Sequence, residues 1–259
     1  MGNKHLVVIH DPRSMAEVPD ESVQLIATSP PVFEIKESFD DLKDYLEELR
    51  LTFKECYRVL ERGRYICVNV CDIVSRESKY PIPAHYVLLL QRAGFEYRDD
   101  IIWRKPKTSG KRFGVFVEHP YPMYYFPNNV LGHILVLRKG EFDYKNLTDE
   151  DKLRAAVDLG EARRRWNSDI WDMRWEVKNP GNSEHPIVFP DELPEALIRL
   201  YTFEGETVLD PFLGSGTVTR VAASMGRKSI GYAPDRSCLP SLGIVPGGLE
   251  TIEQKRCSQ

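Results

Sequence analysis

The stretch TVLDPFLGSGT, residues 207–217, decides the fold of this chain. Its first residues predict a strand, and the residues from Thr217 to about Met225 predict a helix. Gly214 and Gly216 stand at the turn between the two, where small residues let a ligand approach the backbone and the helix amides face it. The stretch therefore predicts a loop that binds a nucleoside-bearing ligand at the end of a strand.

Strand and helix signals alternate on both sides of this loop. Strands are predicted at residues 6–10, 23–27, 64–70, 95–103 and 228–232, with one more at 132–138. Helices are predicted at residues 40–62, 82–93 and 190–203, the first of them ending at Gly63. Because strands separated by helices form parallel sheets, the pattern predicts an α/β fold.

Composition sets the broad class of the protein. The chain has 259 residues, 42% hydrophobic and 29% charged, which fits one large α/β domain with or without an insertion. No apolar run approaches about eighteen residues, and the first residues lack a signal-peptide pattern, so we expect a soluble cytoplasmic protein. The five cysteines show no paired CxxC spacing, so no metal site is expected.

A basic run, RKPKTSGKR at residues 104–112, stands out in a chain of net charge -4. The overall charge argues weakly against a protein coated in nucleic acid, but it hides local patches. The run has two interpretations, a solvated loop or a surface that neutralises phosphates. Its cations are Arg104, Lys105, Lys107, Lys111 and Arg112.

The tetrapeptide TSPP, residues 28–31, directly follows the second predicted strand. That position is the carboxyl edge of the sheet, where open α/β sheets bind ligands. Paired prolines stiffen the backbone, so Pro30 can offer its carbonyl outward while Ser29 adds a second acceptor. Two acceptors suit an NH2 group, although an ordinary Pro-Pro turn would have the same sequence.

The order of these motifs resembles that of the β group of DNA amino-methyltransferases, the N4-cytosine and N6-adenine enzymes of restriction-modification systems. TSPP comes early, HPIVFPDELPEALIRLY (185–201) late and DPFLGSGT (210–217) after it, with GRYICVNV and IIWRKP in matching places. The resemblance implies a Rossmann-like fold dependent on S-adenosyl-L-methionine (AdoMet), with a mostly parallel seven-stranded sheet in permuted order. It places a catalytic half at residues 1–103, a small target-recognition insertion at 104–181, a cofactor half at 182–239 and an irregular tail at 240–259.

The resemblance also implies roles for individual residues. Ser29, Pro30, Pro31 and Val32 match the catalytic tetrapeptide. Asp11 matches the residue that contacts the adenine ring of AdoMet. The other residues expected to bind AdoMet, or its product S-adenosyl-L-homocysteine, are Thr28, Phe189, Pro190, Asp210, Pro211, Phe212, Gly214, Ser215, Gly216, Thr217, Ala233 and Asp235.

The implied reaction is direct methyl transfer to a poorly nucleophilic amine. Ser29 and the Pro30 carbonyl would hold its two hydrogens and aim its lone pair at the sulfonium methyl. The base must be extruded from the duplex. No covalent intermediate is required, so Cys67 and Cys71 are interpreted as core thiols.

Two positions depart from the family pattern. Val32 stands where an aromatic residue usually stacks on the extruded base, a contact worth about 1 to 3 kcal/mol, unless Phe33 replaces it. Ala233 stands where an acid usually holds the ribose, and Asp235 lies two residues further on. The departures indicate an impaired enzyme, or one altered to accept a different cofactor.

The insertion at residues 104–181 is predicted to bind double-stranded DNA. Arg163, Arg164 and Arg165 would contact phosphates or guanine edges, or form a solvated helix face. Aromatic residues of the insertion would stack on bases or pack its interior: Tyr121, Tyr124, Tyr125 and Phe126.

The functional hypotheses fall into three classes. A serine-led tetrapeptide favours N4-cytosine methylation in a short duplex sequence, with N6-adenine methylation as the alternative. The second class is a DNA-binding homologue with weakened catalysis, and the third acts on RNA or protein amines. A restriction endonuclease acting separately is a candidate partner, and the sequence leaves open whether the protein is a monomer or a homodimer.

Overall fold

The computed structural model describes residues 5–31, 39–75, 78–105, 127, 129–154, 159–173, 190–243 and 248–253. The strands are β1 His5–Ile9, β2 Val23–Thr28, β3 Leu60–Val70, β4 Ile73–Ser75, β5 Ser78–Tyr80, β6 Glu96–Arg104, β7 Leu131–Arg138, β8 Ile170–Asp172, β9 Thr207–Asp210, β10 Lys228–Ala233 and β11 Leu249–Glu253. The helices are α1 Phe39–Val59, α2 Ile82–Arg92, α3 Asp149–Arg154, α4 Leu159–Arg165, α5 Glu192–Tyr201, α6 Thr217–Ser224 and α7 Leu239–Leu242.

Nine of these strands form one sheet in the order β11-β1-β10-β9-β2-β3-β7-β6-β8. All neighbours pair in parallel except β7, which runs antiparallel to both β3 and β6. The predicted α/β fold with a mostly parallel sheet is confirmed. The predicted count of seven strands is wrong for the described residues, because β8 and β11 add one strand at each edge.

The tail at residues 240–259 is not irregular throughout, as had been expected. β11 pairs in parallel with β1, from His5 beside Leu249 to Ile9 beside Glu253. Leu242, at the end of α7, is fully buried. The sequence LETIE gave no strand signal because an edge strand held mainly by backbone pairing needs no apolar alternation.

Strand β7 belongs to the main sheet, although residues 104–181 were expected to form an insertion outside it. The strand predicted at residues 132–138 exists, but it lies between β3 and β6 in the main sheet. Ile134, Leu135, Val136 and Leu137 are all buried, because both faces of the sheet are covered there. Residues 104–181 therefore contribute a central strand to the domain core as well as its connections.

The first helix ends earlier than its sequence suggested. Its apolar residues at intervals of three and four place Leu42, Leu49 and Phe53 on one buried face, as predicted. The helix stops at Val59, because Leu60 already pairs with Val23 in β2. Gly63 therefore lies inside β3 with φ +84°, and it does not cap the helix.

Two helical layers cover the sheet. α1 and α2 pack on one face, around Phe53 and Tyr86, and α5 and α6 pack on the other, around Leu197 and Val218. The carboxyl ends of β1, β2, β3, β9 and β10 meet at one edge, the edge where open α/β sheets bind ligands. In the part of the chain that is described, no helix is both long and apolar enough to cross a membrane.

Candidate active site

The loop after β9 forms a tight turn into α6. Leu213 N donates to Tyr232 O at 2.9 Å, and Gly216 N donates to Leu213 O at 2.7 Å. Gly214 and Gly216 have φ of +50° and +73°, and Gly216 is the N-cap of α6. Positive φ favours glycine, so the two residues build a backbone cradle at a helix N-terminus, as the sequence predicted.

Asp210 links this loop to the TSPP tetrapeptide. Thr28 Oγ1 donates to Asp210 Oδ1 at 2.6 Å, and Phe212 N donates to the same oxygen at 3.1 Å. Thr28 and Asp210 are both buried, and burial raises the pKa of Asp210 to about 6. The hydrogen bond holds the ends of the neighbouring strands β2 and β9 together across the site.

Asp210→Asn should change how stability depends on pH. Since the pKa of Asp210 is higher in the folded protein than its ordinary 3.8, the folded state binds more protons between about pH 4 and 6. Its contribution to the free energy of unfolding is therefore present below about pH 4 and lost as pH rises through 6, by about 3 kcal/mol. Asparagine keeps the Oδ1 acceptor and does not titrate. We therefore expect the free energy of unfolding of the variant, relative to that of wild type, to rise by about 3 kcal/mol from about pH 4 to above pH 6.

Urea unfolding of both proteins at about pH 4 and pH 7 measures this difference. Asp44→Asn, an exposed position on α1, controls for the loss of one charge. If the free energies of unfolding of Asp210→Asn and wild type differ by the same amount at both pH values, Asp210 does not titrate between them.

The TSPP tetrapeptide follows β2 as predicted. Ser29 Oγ donates to Asn69 O, at the end of the neighbouring strand β3, at 3.1 Å. This bond uses the only hydroxyl hydrogen of Ser29, so the lone pairs of its oxygen remain to accept. Pro30 is buried, and among the described residues no donor reaches its carbonyl. The Pro31 carbonyl accepts a hydrogen bond from Tyr45.

Asp11 lies at the carboxyl end of β1, at the edge where it was predicted. Its carboxylate accepts hydrogen bonds from Arg13, through Nε at 2.8 Å and through the backbone N at 2.9 Å. The hydrogen bonds from Arg13 lower the pKa of the Asp11 carboxyl. Asp11 is exposed, so a ligand at this edge would meet an Asp11–Arg13 ion pair.

Ala233 and Asp235 follow the end of β10. Ala233 is buried, and its carbonyl accepts from His10 N at 3.1 Å. Asp235 is exposed, and its Oδ1 accepts from Ser237 N at 2.7 Å, capping the short 3-10 turn Arg236–Cys238. One oxygen of the Asp235 carboxylate is therefore used to cap its own turn, and whether Asp235 reaches the ribose stays a prediction.

The predicted DNA-contacting cations differ in placement. Arg104 is exposed and donates two hydrogen bonds to Asp172, at 2.6 and 2.5 Å. Lys105 is buried, with its Nζ 2.8 Å from Cys71 Sγ and 5.1 Å from the centre of the Trp103 ring. The prediction that Lys105 contacts a phosphate does not suit this placement, because a buried ammonium is screened from a surface ligand.

The arginine triplet lies at the end of α4. Arg165 donates to Glu161 at 2.9 Å and to Glu192 at 2.5 Å, and so ties α4 to α5. Arg163 and Arg164 are exposed, and neither forms an ion pair with a described residue. Of the triplet, Arg165 has a structural role, and Arg163 and Arg164 remain candidates for phosphate contact.

Several predicted positions lie outside the described residues. Pro190 is described and buried, and its carbonyl accepts from Leu193 N at 3.0 Å at the start of α5. The positions outside are Val32, Phe33, Lys107, Lys111, Arg112, Phe189, Tyr121, Tyr124, Tyr125 and Phe126.

The two cysteines interpreted as core thiols differ in burial. Cys67 is fully buried, and burial raises the pKa of its thiol. Cys71 is half-buried beside Lys105, so it is not the core thiol that the sequence suggested. No cluster of three or more metal-ligating side chains occurs among the residues described.

The sequence did not single out Asn69, Tyr45 or Tyr86 as site residues. Asn69 carried one signal, since it is the one polar amide in the mainly apolar run YICVNV, residues 65–70. The spacing of Tyr45 from the other apolar residues of α1 predicts only that it lies on the apolar face of the helix. Its hydroxyl contact with Pro31 depends on packing, which periodicity does not reveal.

Fold and site together define the class of Rossmann-like methyltransferases. The DNA methylase family of N6 and N4 enzymes matches residues 23–239. The Type II methyltransferase M.MjaI of Methanocaldococcus jannaschii is 31% identical, over 97% of this chain and 93% of its own. M.MthZI of Methanothermobacter thermautotrophicus is 30% identical, over 92% of this chain and 75% of its own.

Solved structures agree with this assignment. The crystal structure of TTHA0409 from Thermus thermophilus, complexed with AdoMet, superposes with a TM-score of 0.79 at 27% identity, over 97% of this chain and 99% of its own. The chain belongs to the DNA methylase family. The expectations of a restriction-modification DNA amino-methyltransferase, of its Rossmann-like fold and of AdoMet as the family's methyl donor are confirmed.

Proposed function

We propose that this protein transfers a methyl group from AdoMet to the exocyclic N4 of cytosine in a short duplex DNA sequence, after extruding the base. One observation carries the proposal, the 2.6 Å hydrogen bond between Thr28 and Asp210. This bond supports the proposal because it joins the end of β2, which Ser29 and Pro30 follow, to the end of β9, which the glycine loop follows. Amine and methyl donor would thus meet at one sheet edge.

The residues at this edge fit AdoMet in most respects. The turn at Gly214 and Gly216 leads into the α6 N-terminus, where backbone amides would meet a ligand. When bound, AdoMet supplies an electrophilic sulfonium methyl group. The part of the cradle that departs from the pattern is the end of β10, where Ala233 offers no carboxylate to the ribose.

The chain's own residues orient the amine. Ser29 donates its hydrogen to Asn69 O, so the serine oxygen faces an NH2 group as an acceptor. The Pro30 carbonyl would accept the second hydrogen. Holding both hydrogens directs the nitrogen lone pair toward the methyl group, and such positioning supplies much of the acceleration.

DNA binding is proposed for residues 104–181 and their surroundings. Exposed Arg163 and Arg164 on α4 would contact phosphates, together with Lys107, Lys111 and Arg112 of the basic run. Phosphate contacts fix register and orientation, and base contacts supply sequence selectivity. A separate restriction endonuclease would act at the same sequence.

N4-cytosine methylation is preferred over N6-adenine methylation because residues 29–32, which match the catalytic tetrapeptide of the family, begin with a serine. Nuclease digestion of DNA methylated by the protein, followed by mass spectrometry of the nucleosides, tests the choice. We expect the deoxynucleoside of N4-methylcytosine in the digest. The deoxynucleoside of N6-methyladenine alone would overturn the base assignment, and neither product would overturn the proposed reaction.

Ala233 supports a second candidate, a DNA-binding homologue with weakened catalysis. If only the ribose acid has been lost, Ala233→Glu should tighten AdoMet binding about ten- to a hundredfold, the equivalent of about 1.5 to 3 kcal/mol for a charge-assisted hydrogen bond. Isothermal titration measures the change. Asp44→Ala, an exposed position on α1, is the control for a change of surface charge and should leave the affinity unchanged. An unchanged affinity in Ala233→Glu would mean that position 233 has been reassigned.

A further inference from the structure

The Ser29-Pro30-Pro31 loop has few means of being held in place. Prolines have no backbone N–H, so Pro30 and Pro31 cannot donate hydrogen bonds. Their carbonyls are the remaining attachment points, and the proposed reaction needs the Pro30 carbonyl for the amine. The Pro31 carbonyl is anchored, because Tyr45 Oη donates to it at 2.7 Å. Tyr45 extends from α1, so a helix of the core holds the loop.

A second tyrosine orients the first. Tyr86 Oη, on α2, lies 2.7 Å from Tyr45 Oη. A phenol carries one hydrogen, and Tyr45 uses its own on Pro31, so Tyr86 must be the donor in this pair. Hydrogen bonds in such a chain strengthen one another where the dielectric is low, and Tyr86 is fully buried. The two hydrogen bonds therefore run in one direction, because Tyr86 donates to Tyr45 and Tyr45 donates to the Pro31 carbonyl.

The same aromatic cluster reaches the cofactor loop. The Tyr86 ring meets Phe53 edge-on, with centroids 5.9 Å apart at 76°. Phe53 in turn meets Phe212, of the DPF turn, at 6.4 Å and 72°. Rings packed in this way have little freedom to shift independently. The support for the amine-binding loop and the support for the cofactor loop are thus one packed unit.

We propose that Tyr45, oriented by Tyr86, is a positioning residue for methyl transfer. By holding the Pro31 carbonyl it fixes the Pro30–Pro31 backbone, so that the Pro30 carbonyl faces the amine. Proline fixes φ, so the ψ angles of the two prolines are the freedom that this anchor removes. The inference rests on the proposed function of Ser29 and Pro30. Loss of the hydroxyl alone keeps the ring packing, so the inference predicts an effect on the chemical step without an effect on cofactor binding.

Tyr45→Phe and Tyr86→Phe test the inference, with Tyr57→Phe as the matched control. Tyr57 lies on the same helix, packs edge-on against Phe95 at 5.1 Å, and makes no hydroxyl hydrogen bond to a described residue. We expect kcat to fall about tenfold in Tyr45→Phe, because a misplaced reacting group lowers the rate without weakening binding. A smaller fall is expected in Tyr86→Phe, which keeps the Tyr45–Pro31 bond. KM for AdoMet and the thermal midpoint should match those of Tyr57→Phe.

The possible results are distinguishable. A kcat for Tyr45→Phe equal to that of Tyr57→Phe would overturn the inference and leave the proposed function standing. A loss of AdoMet affinity that parallels the loss of kcat would also overturn it, because that result indicates a structural role. If wild-type protein transfers no methyl group to DNA, the proposed function fails, and the inference with it.

Discussion

Ser29→Ala is expected to lower kcat for methyl transfer to DNA about a hundredfold, the scale measured when one preorganised polar group is removed from an active site. Ser29 Oγ already gives its hydrogen to Asn69 O, so the group lost is an oriented acceptor for the amine. AdoMet binding should not change, because the Ser29 hydroxyl bonds to the end of β3 and makes no hydrogen bond to a described residue of the cofactor loop. Steady-state kinetics with DNA measure kcat, and titration with AdoMet measures the affinity for the cofactor.

Ser22→Ala is the matched control for this prediction. Ser22 precedes β2 as Ser29 follows it, and its hydroxyl also donates to a backbone carbonyl, that of Pro19, at 2.7 Å. It lies at the opposite end of the strand from the site. If Ser29→Ala were as active as Ser22→Ala, Ser29 would not contact the amine in the transition state.

Gly216→Ala is expected to lower the free energy of unfolding by about 4 kcal/mol. The left-handed φ of +73° costs a non-glycine residue about 1 to 2 kcal/mol. An added Cβ would also lie 1.9 Å from Leu242 Cδ2, and overpacking of a buried side chain costs about 1 to 3 kcal/mol. The same shift would distort the N-terminus of α6, so AdoMet affinity should fall as well.

Gly205→Ala separates these two costs. Gly205 has a similar φ of +82°, but an added Cβ there meets nothing within 4 Å. Urea unfolding should therefore show only the backbone cost, about 1 to 2 kcal/mol. Adding Leu242→Ala to Gly216→Ala should destabilise the protein by less than the sum of the single changes, because the two side chains compete for one space. Equal losses in the two glycine variants would contradict the close approach of α7 to the loop.

The regular elements could be predicted from the sequence because their signals are local. The apolar spacing of α1 and the continuous apolar run of β3 both reflect burial that each segment encodes by itself. The glycine loop was also predictable, since its positive φ angles require glycine at Gly214 and Gly216. The motif order predicted the family for the same reason, because each motif is a short stretch of the chain.

Other features depend on contacts between distant parts of the chain. β11 is a strand because β1 offers it a free edge, and the sequence LETIE alone does not indicate this. Lys105 is a surface cation by composition, yet the structure buries it against Trp103. The bond from Thr28 to Asp210 joins residues 182 positions apart. The Tyr45–Pro31 contact likewise requires α1 to be packed on the sheet beside the end of β2.

Transfer of tritium from methyl-labelled AdoMet tests the central claim, that Ser29, Pro30 and the glycine loop together methylate an exocyclic amine of DNA. Duplex DNA, RNA and protein are offered separately to the wild-type chain, and the label in each is counted after digestion. We expect label in the DNA, on a methylated exocyclic amine. Label in RNA or protein alone, or in none of the three, would contradict it.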